Sequence, residues 1–235
     1  MGMDVSYRVR SAAPVVDLPV DQRAVFISRT YLHLFGAIAL FTAIEAALFV
    51  TGVAYPLAAA MMSVSWLLIL GGFMVVGWLG SRVAARAESL PAQYAALFGY
   101  VFAEALIFVP LLVMAELSVG AGVIASAAAV TLVGFAALTG VAWTSRRDFS
   151  FLGGLLKWVG IGAVVGIIAS VAFGFTLGTW FSVLMVVFAG GAILYDTSRV
   201  MRDFPEGRYV AASLSLFASV ALLFWYVLRI FMSRD

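Results

Sequence analysis

Four ionisable side chains lie inside apolar stretches long enough to cross a bilayer: Glu45, Glu104, Asp196 and Arg229. A charged group inside a membrane is costly to desolvate, so each is a candidate for function. Carboxylates are hard oxygen donors, which suits transient contact with cations such as calcium, or proton exchange. Asp196 follows the apolar run from Trp180 to Tyr195, which contains only one polar side chain, Ser182. It sits in the string Ile193-Leu194-Tyr195-Asp196-Thr197-Ser198-Arg199. His33 and Glu116 stand near the ends of such stretches.

Several chemistries lack their residues. With no cysteine, the chain has no disulfide and no thiolate metal site. One histidine leaves no H-E-x-x-H zinc pair, and no G-x-S-x-G turn or G-x-x-x-x-G-K-[ST] loop occurs. Lys157 is the only lysine and stands at the start of the fifth span, which excludes a retinal Schiff base in the last. The expectation is a protein that is not an enzyme and has no cofactor, with calcium as a candidate transported ion.

The elements that position these groups follow from composition. Of 235 residues, 64% are hydrophobic and 11% charged, with a mean hydropathy of +1.10. Soluble domains carry about 25% charged residues, so this chain is an all-α integral membrane protein. A net charge of +2 gives no reason to expect nucleic acid. Spans of about 20 apolar residues are predicted near residues 30–52, 57–79, 92–115, 119–143, 153–173, 177–200 and 209–231. Residues 1–28 read as a polar tail and 29–235 as a seven-helix transmembrane domain. Small residues at Gly162, Gly166, Ser170, Gly190 and Gly191 suggest close helix packing.

Twelve of the 14 Lys and Arg residues fall in the tail and in the second, fourth and sixth loops or at their edges. The positive-inside rule then places the N-terminus in the cytoplasm and, with seven spans, the C-terminus outside. Glu45 is 16 residues beyond Arg29, roughly 24 Å along its helix. Arg229 is at similar depth on the last span, so a Glu45–Arg229 pair is expected, with separate snorkelling as the alternative. Glu104 lies mid-span with no partner legible in the sequence. Asp196 is three residues before Arg199, only about 4–5 Å deep. On that reading it pairs with Arg199 or Arg202, or faces water.

The strings Arg146-Arg147-Asp148-Phe149-Ser150-Phe151-Leu152-Gly153-Gly154 and ILYDTSR, on seven spans, resemble the Bax inhibitor-1 (transmembrane Bax inhibitor motif) family, in its bacterial YccA-like subgroup. The resemblance implies a bundle of six helices around a central seventh. It also implies a pH-sensitive calcium or cation leak of the cell inner membrane, in which one aspartate on helix 6 and one on helix 7 share a site. Two such carboxylates cannot both ionise easily, which makes the pair a pH sensor. Asp196 matches the first position. The family's helix-7 pattern resembles L-Y-x-D-x-x-N-L-F, and here reads Leu216-Phe217-Ala218-Ser219-Val220-Ala221-Leu222-Leu223-Phe224. Ser219 stands at the second aspartate, so the dyad does not carry over whole. The YccA-like subgroup implies an alternative role: a non-transporting regulator that binds and modulates the membrane-anchored ATP-dependent protease of the FtsH type and contacts its accessory complex.

Overall fold

A computed structural model describes residues 13–64, 71, 75, 89–120, 122–145 and 147–233. A short 3-10 turn, Val15–Asp17, precedes seven helices among the described residues. They are α1 (Val20–Val50), α2 (Ala54–Met62), α3 (Leu90–Ser118), α4 (Gly122–Ser145), α5 (Leu152–Phe173), α6 (Gly178–Arg202) and α7 (Tyr209–Met232). All but α2 are long and apolar enough to cross a membrane. The span expected over 57–79 begins within α2 and then runs largely outside the described residues.

The helices form because lipid leaves no other partner for backbone N–H and C=O groups. The connection between α5 and α6 is a tight turn. Gly174 and Gly178 bracket the α5–α6 turn with φ of 70° and 64°, a left-handed geometry that a Cβ disfavours.

Burial is unequal. α7 is enclosed along most of its length and packs against α1, α3, α4 and α6. Phe41 of α1, Phe108 of α3, and Phe217, Phe224 and Trp225 of α7 interlock, with Phe108 stacked on Phe224 at 5.6 Å and edge-on to Trp225 at 5.0 Å. At the other extreme, α5 buries only Ala163 and packs mainly on α6. Its outward face, with Leu155, Trp158 and Phe173, is apolar, as a lipid-facing surface must be.

The small-residue expectation divides along the same line. A Cβ on Gly190 or Gly191 would meet Leu138 or Leu156 at 3.4 Å, so these glycines bring α6 close to α4 and α5. Among the described residues, a Cβ on Gly162 or Gly166 would meet nothing within 4 Å.

Within the segment read as tail, residues 13–28, the chain is packed before α1 begins at Val20. Val15 and Leu18 are buried. Val15 N–H bonds to Phe204 O at 3.0 Å, and Glu206 N–H to Ala13 O at 3.3 Å. Residues 13–18 thus form a strap across the α6–α7 loop. The apolar residues in Ala13-Pro14-Val15-Val16-Asp17-Leu18 supply the side chains that anchor it.

Gln93, buried on α3, ties down the same loop. Its amide donates to Gly207 O at 3.1 Å, and its carbonyl accepts from Ala211 N–H at 3.4 Å in the first turn of α7. Replacing Gln93 with Leu keeps the bulk and strips both partners. We expect the purified Q93L variant to lose about 1–3 kcal/mol of stability, read as a lower midpoint of thermal unfolding in detergent. An unchanged midpoint would mean that water replaces the amide.

Candidate functional site

The two sequence strings meet at one end of the bundle. Phe149 N–H reaches Ser198 Oγ at 3.3 Å, and Asp148 pairs with Arg202 at 3.3 Å. A Cβ on Gly153 would lie 2.8 Å from the Tyr195 ring. The loop before α5 is therefore seated on the last turns of α6 through a backbone contact, an ion pair and a glycine that admits the tyrosine ring. Arg199 stacks over Tyr195 and Phe204, 5.5 and 5.0 Å from the ring centroids. Both arginines sit where cations favour a helix C-terminus.

Asp148 is exposed, and its carboxyl is held below the usual carboxylate range. The Ser150 hydroxyl and backbone N–H are the main cause, with Arg202 adding attraction. A depressed value stabilises the fold above the group's unfolded pKa of about 3.9, and that stability is lost as pH falls through the lower folded value. We expect D148N to lower the melting temperature slightly at neutral pH, because the pair is exposed, and to show a correspondingly smaller fall below about pH 4, so that the two profiles converge in acid. A slope like that of the unsubstituted protein would show that the loop seats without this ion pair.

Asp196 faces inward. It is 9% exposed, and Ser219 Oγ of α7 donates to its Oδ2 at 2.6 Å. This corrects the interfacial reading. Among the described residues Asp196 makes no ion pair with Arg199 or Arg202, because Arg199 lies on aromatic rings and Arg202 reaches Asp148. Depth along a helix does not report which face a residue occupies, and Asp196 occupies the face that meets α7.

Buried hydroxyls lie nearby. Tyr31 of α1 sits among Thr139 and Trp143 of α4 and Thr197 of α6. On the α3 and α7 side, His33 Nδ1 contacts Arg29 O and Nε2 contacts Tyr94 Oη, both at 2.7 Å. The carbonyl can only accept, so Nδ1 carries a proton, and a neutral His33 accepts the Tyr94 hydroxyl proton at Nε2. His33 stands out in the sequence as the single histidine near a span end, but Tyr31, Tyr94 and Gln93 do not. Their partners lie on other helices, and nothing local marks them except a polar atom in an apolar run.

The Glu45–Arg229 pair does not form. Among the described residues neither Glu45 carboxylate oxygen has a partner, and both are buried, whereas Arg229 is exposed. Similar depth put the two groups at one level. However, Arg229 lines a cavity bounded by α3, α5, α6 and α7, and α1, which carries Glu45, contributes nothing to it. Glu104 lines that cavity too. It is 2% exposed, with one carboxylate oxygen unpartnered and Tyr100 as its hydrogen-bonding neighbour. Among the described residues no cluster of three or more His, Asp or Glu gathers to hold a metal ion.

Comparison with known proteins bears on this arrangement. The family described as "Inhibitor of apoptosis-promoting Bax1" matches residues 23–235. The chain is 34% identical over 123 residues to "Modulator of FtsH protease YccA" of Escherichia coli K12, covering 51% of this chain and 56% of that protein. A relative in another Escherichia coli strain, O6:H1, bears the name "Inner membrane protein YccA" at the same identity and coverage. An uncharacterized membrane protein of Vibrio cholerae is 34% identical over 110 residues, covering 46% of this chain and 48% of that protein. The match thus spans about half the length of these curated relatives. The family match covers both strings, the Asp196–Ser219 contact and six of the seven α-helices in full, with α1 from its fourth residue: the chain is a multi-pass membrane protein belonging to the Bax inhibitor-1 family, in its bacterial YccA-like subgroup.

Proposed function

We propose that this protein modulates a membrane-anchored ATP-dependent protease of the FtsH type and is neither an enzyme nor a pH-gated channel. The observation that carries this reading is the likeness to the Escherichia coli modulator. The site supports it: a hydroxyl occupies the place of the second aspartate, so Asp196 is satisfied by Ser219 rather than coupled to a like charge. The architecture proposed is seven spans around α7, with the N-terminus in the cytoplasm and the C-terminus outside. The N-terminal segment ahead of the strap is then presented to a cytoplasmic protease and its accessory complex. The test is co-reconstitution with the protease. Purified chain should slow degradation of a second membrane substrate, and loss of residues 1–12, which leaves the packed strap intact, should remove that effect. Equal slowing by the shortened chain would place the contact elsewhere.

One observation favours a second reading, a calcium or other cation leak. Two buried carboxylates, Asp196 near one end and Glu104 in the cavity, lie on faces of α6 and α3 that meet α7 or the cavity beside it. Calcium entry into liposomes above that of empty vesicles, at pH 6 or pH 8, would support it, and equal entry would remove it.

A further inference from the structure

The cavity between α3, α5, α6 and α7 has a composition that neither reading uses. Its volume is about 660 Å³, within the range of sites for drug-sized molecules, about 300–1,000 Å³. One end lies at the α5–α6 turn, near Phe175 to Thr179, together with Arg229 and Ser233 at the end of α7. The other reaches Glu104, level with Ala221 and Leu222 in the middle of α7. From Leu222 to Arg229 is seven residues, about 10 Å along the helix. The walls are mostly apolar and carry Phe108, Trp225 and Tyr226. Within them stands the buried Glu104 carboxylate, one of whose oxygens has no partner among the described residues.

An unpartnered carboxylate in an apolar chamber selects its ligand by what each candidate would leave unsatisfied. Calcium takes 6–8 oxygen ligands, whereas the lining offers one carboxylate and scattered hydroxyls such as Ser170, Thr179 and Ser182, with the Arg229 charge at the far end. A lipid tail would bury Glu104 against methylenes, with neither a positive charge nor a donor to meet its carboxylate. An organic cation with an apolar body satisfies both surfaces: its charge meets Glu104 and the aromatic faces, and its hydrocarbon replaces lipid against the walls. We propose that this cavity binds lipophilic organic cations, with Glu104 as the group that recognises the charge. The site stands apart from the Asp196–Ser219 contact and depends on neither functional reading.

The probe is tetraphenylphosphonium, measured by equilibrium binding to the full chain in nanodiscs, with protein-free nanodiscs as the baseline and neutral triphenylphosphine oxide as the uncharged control. The cation should bind above baseline and the neutral compound should not. E104Q, nearly isosteric, should weaken cation binding about tenfold or more, as expected when a charge-assisted contact is lost. S170W fills the chamber from α5, leaves Glu104 in place and should also lose binding. If E104Q does not fold, the contrast between cation and neutral compound, together with S170W, decides. Three results would overturn the proposal: no binding above baseline, equal affinity in E104Q and unsubstituted chain, or displacement of the cation by calcium on the order of 1 mM, a concentration that fills weak calcium sites.

Discussion

Replacing Ser219 with Asp should make the stability of this protein depend on pH around neutrality. The serine hydroxyl now donates to Asp196 at 2.6 Å. S219D exchanges that donor for a second carboxylate at similar range, in a buried setting where two negative charges about 4 Å apart repel by roughly 4 kcal/mol at an effective dielectric near 20. The pair avoids the repulsion by holding one proton between two oxygens. The penalty is therefore present at high pH and relieved as pH falls. The melting temperature of S219D in detergent should lie below that of the unsubstituted protein at pH 8, and the gap should narrow toward pH 5. The control is S219A, which leaves an Asp196 oxygen without its donor at a cost of about 1–3 kcal/mol and adds no like charge. If calcium flux is measured alongside, only S219D should acquire pH-dependent entry under the leak reading. Parallel melting profiles for S219D and S219A would show that the two positions separate when both are acidic.

The second large effect is expected from the strap. Val15 is fully buried against the α6–α7 loop, and its N–H is bonded to Phe204. V15D would set a carboxylate into this apolar contact, and we expect a loss of up to about 3–5 kcal/mol, the scale of an uncompensated buried charge, reduced by whatever the Arg23 guanidinium, bonded to Val16 O, offsets. The chain relieves that cost by releasing the strap, which lengthens the segment ahead of α1 that a protease can engage. V15D should therefore be degraded by the FtsH-type protease at least tenfold faster than the unsubstituted chain, since about 1.4 kcal/mol of local opening is a factor of ten. V15I, which keeps the site apolar, should be degraded at the unsubstituted rate. Equal degradation of V15D and V15I would mean that engagement does not pass through this segment.

Much of this was legible in the sequence, for a physical reason. Apolar runs of membrane length admit one backbone solution, so the spans could be read directly, apart from the one that falls mostly outside the described residues. The Asp196–Ser219 contact could be anticipated because a resemblance supplied the pairing of two helices, which periodicity alone does not give. What failed was rotation about the helix axis. Counting residues from Arg29 and from Tyr209 set Glu45 and Arg229 at one level, and counting back from Arg199 set Asp196 near the surface. The structure turns Glu45 inward without a partner, Arg229 toward the cavity, and Asp196 onto α7. In apolar helices both faces carry similar side chains, so the sequence holds little signal for azimuth. The strap was obscured differently, because Asp17, Asp21, Arg23 and two prolines mask the few apolar residues that pack.

The central claim is that this family member acts on a protease rather than on an ion gradient. The most direct measurement is the rate at which the reconstituted FtsH-type protease degrades a reporter membrane protein, with and without equimolar purified chain. The account predicts slower degradation with the full chain and an unaltered rate with the chain lacking residues 1–12. Degradation of the reporter at one rate in all three conditions would contradict it.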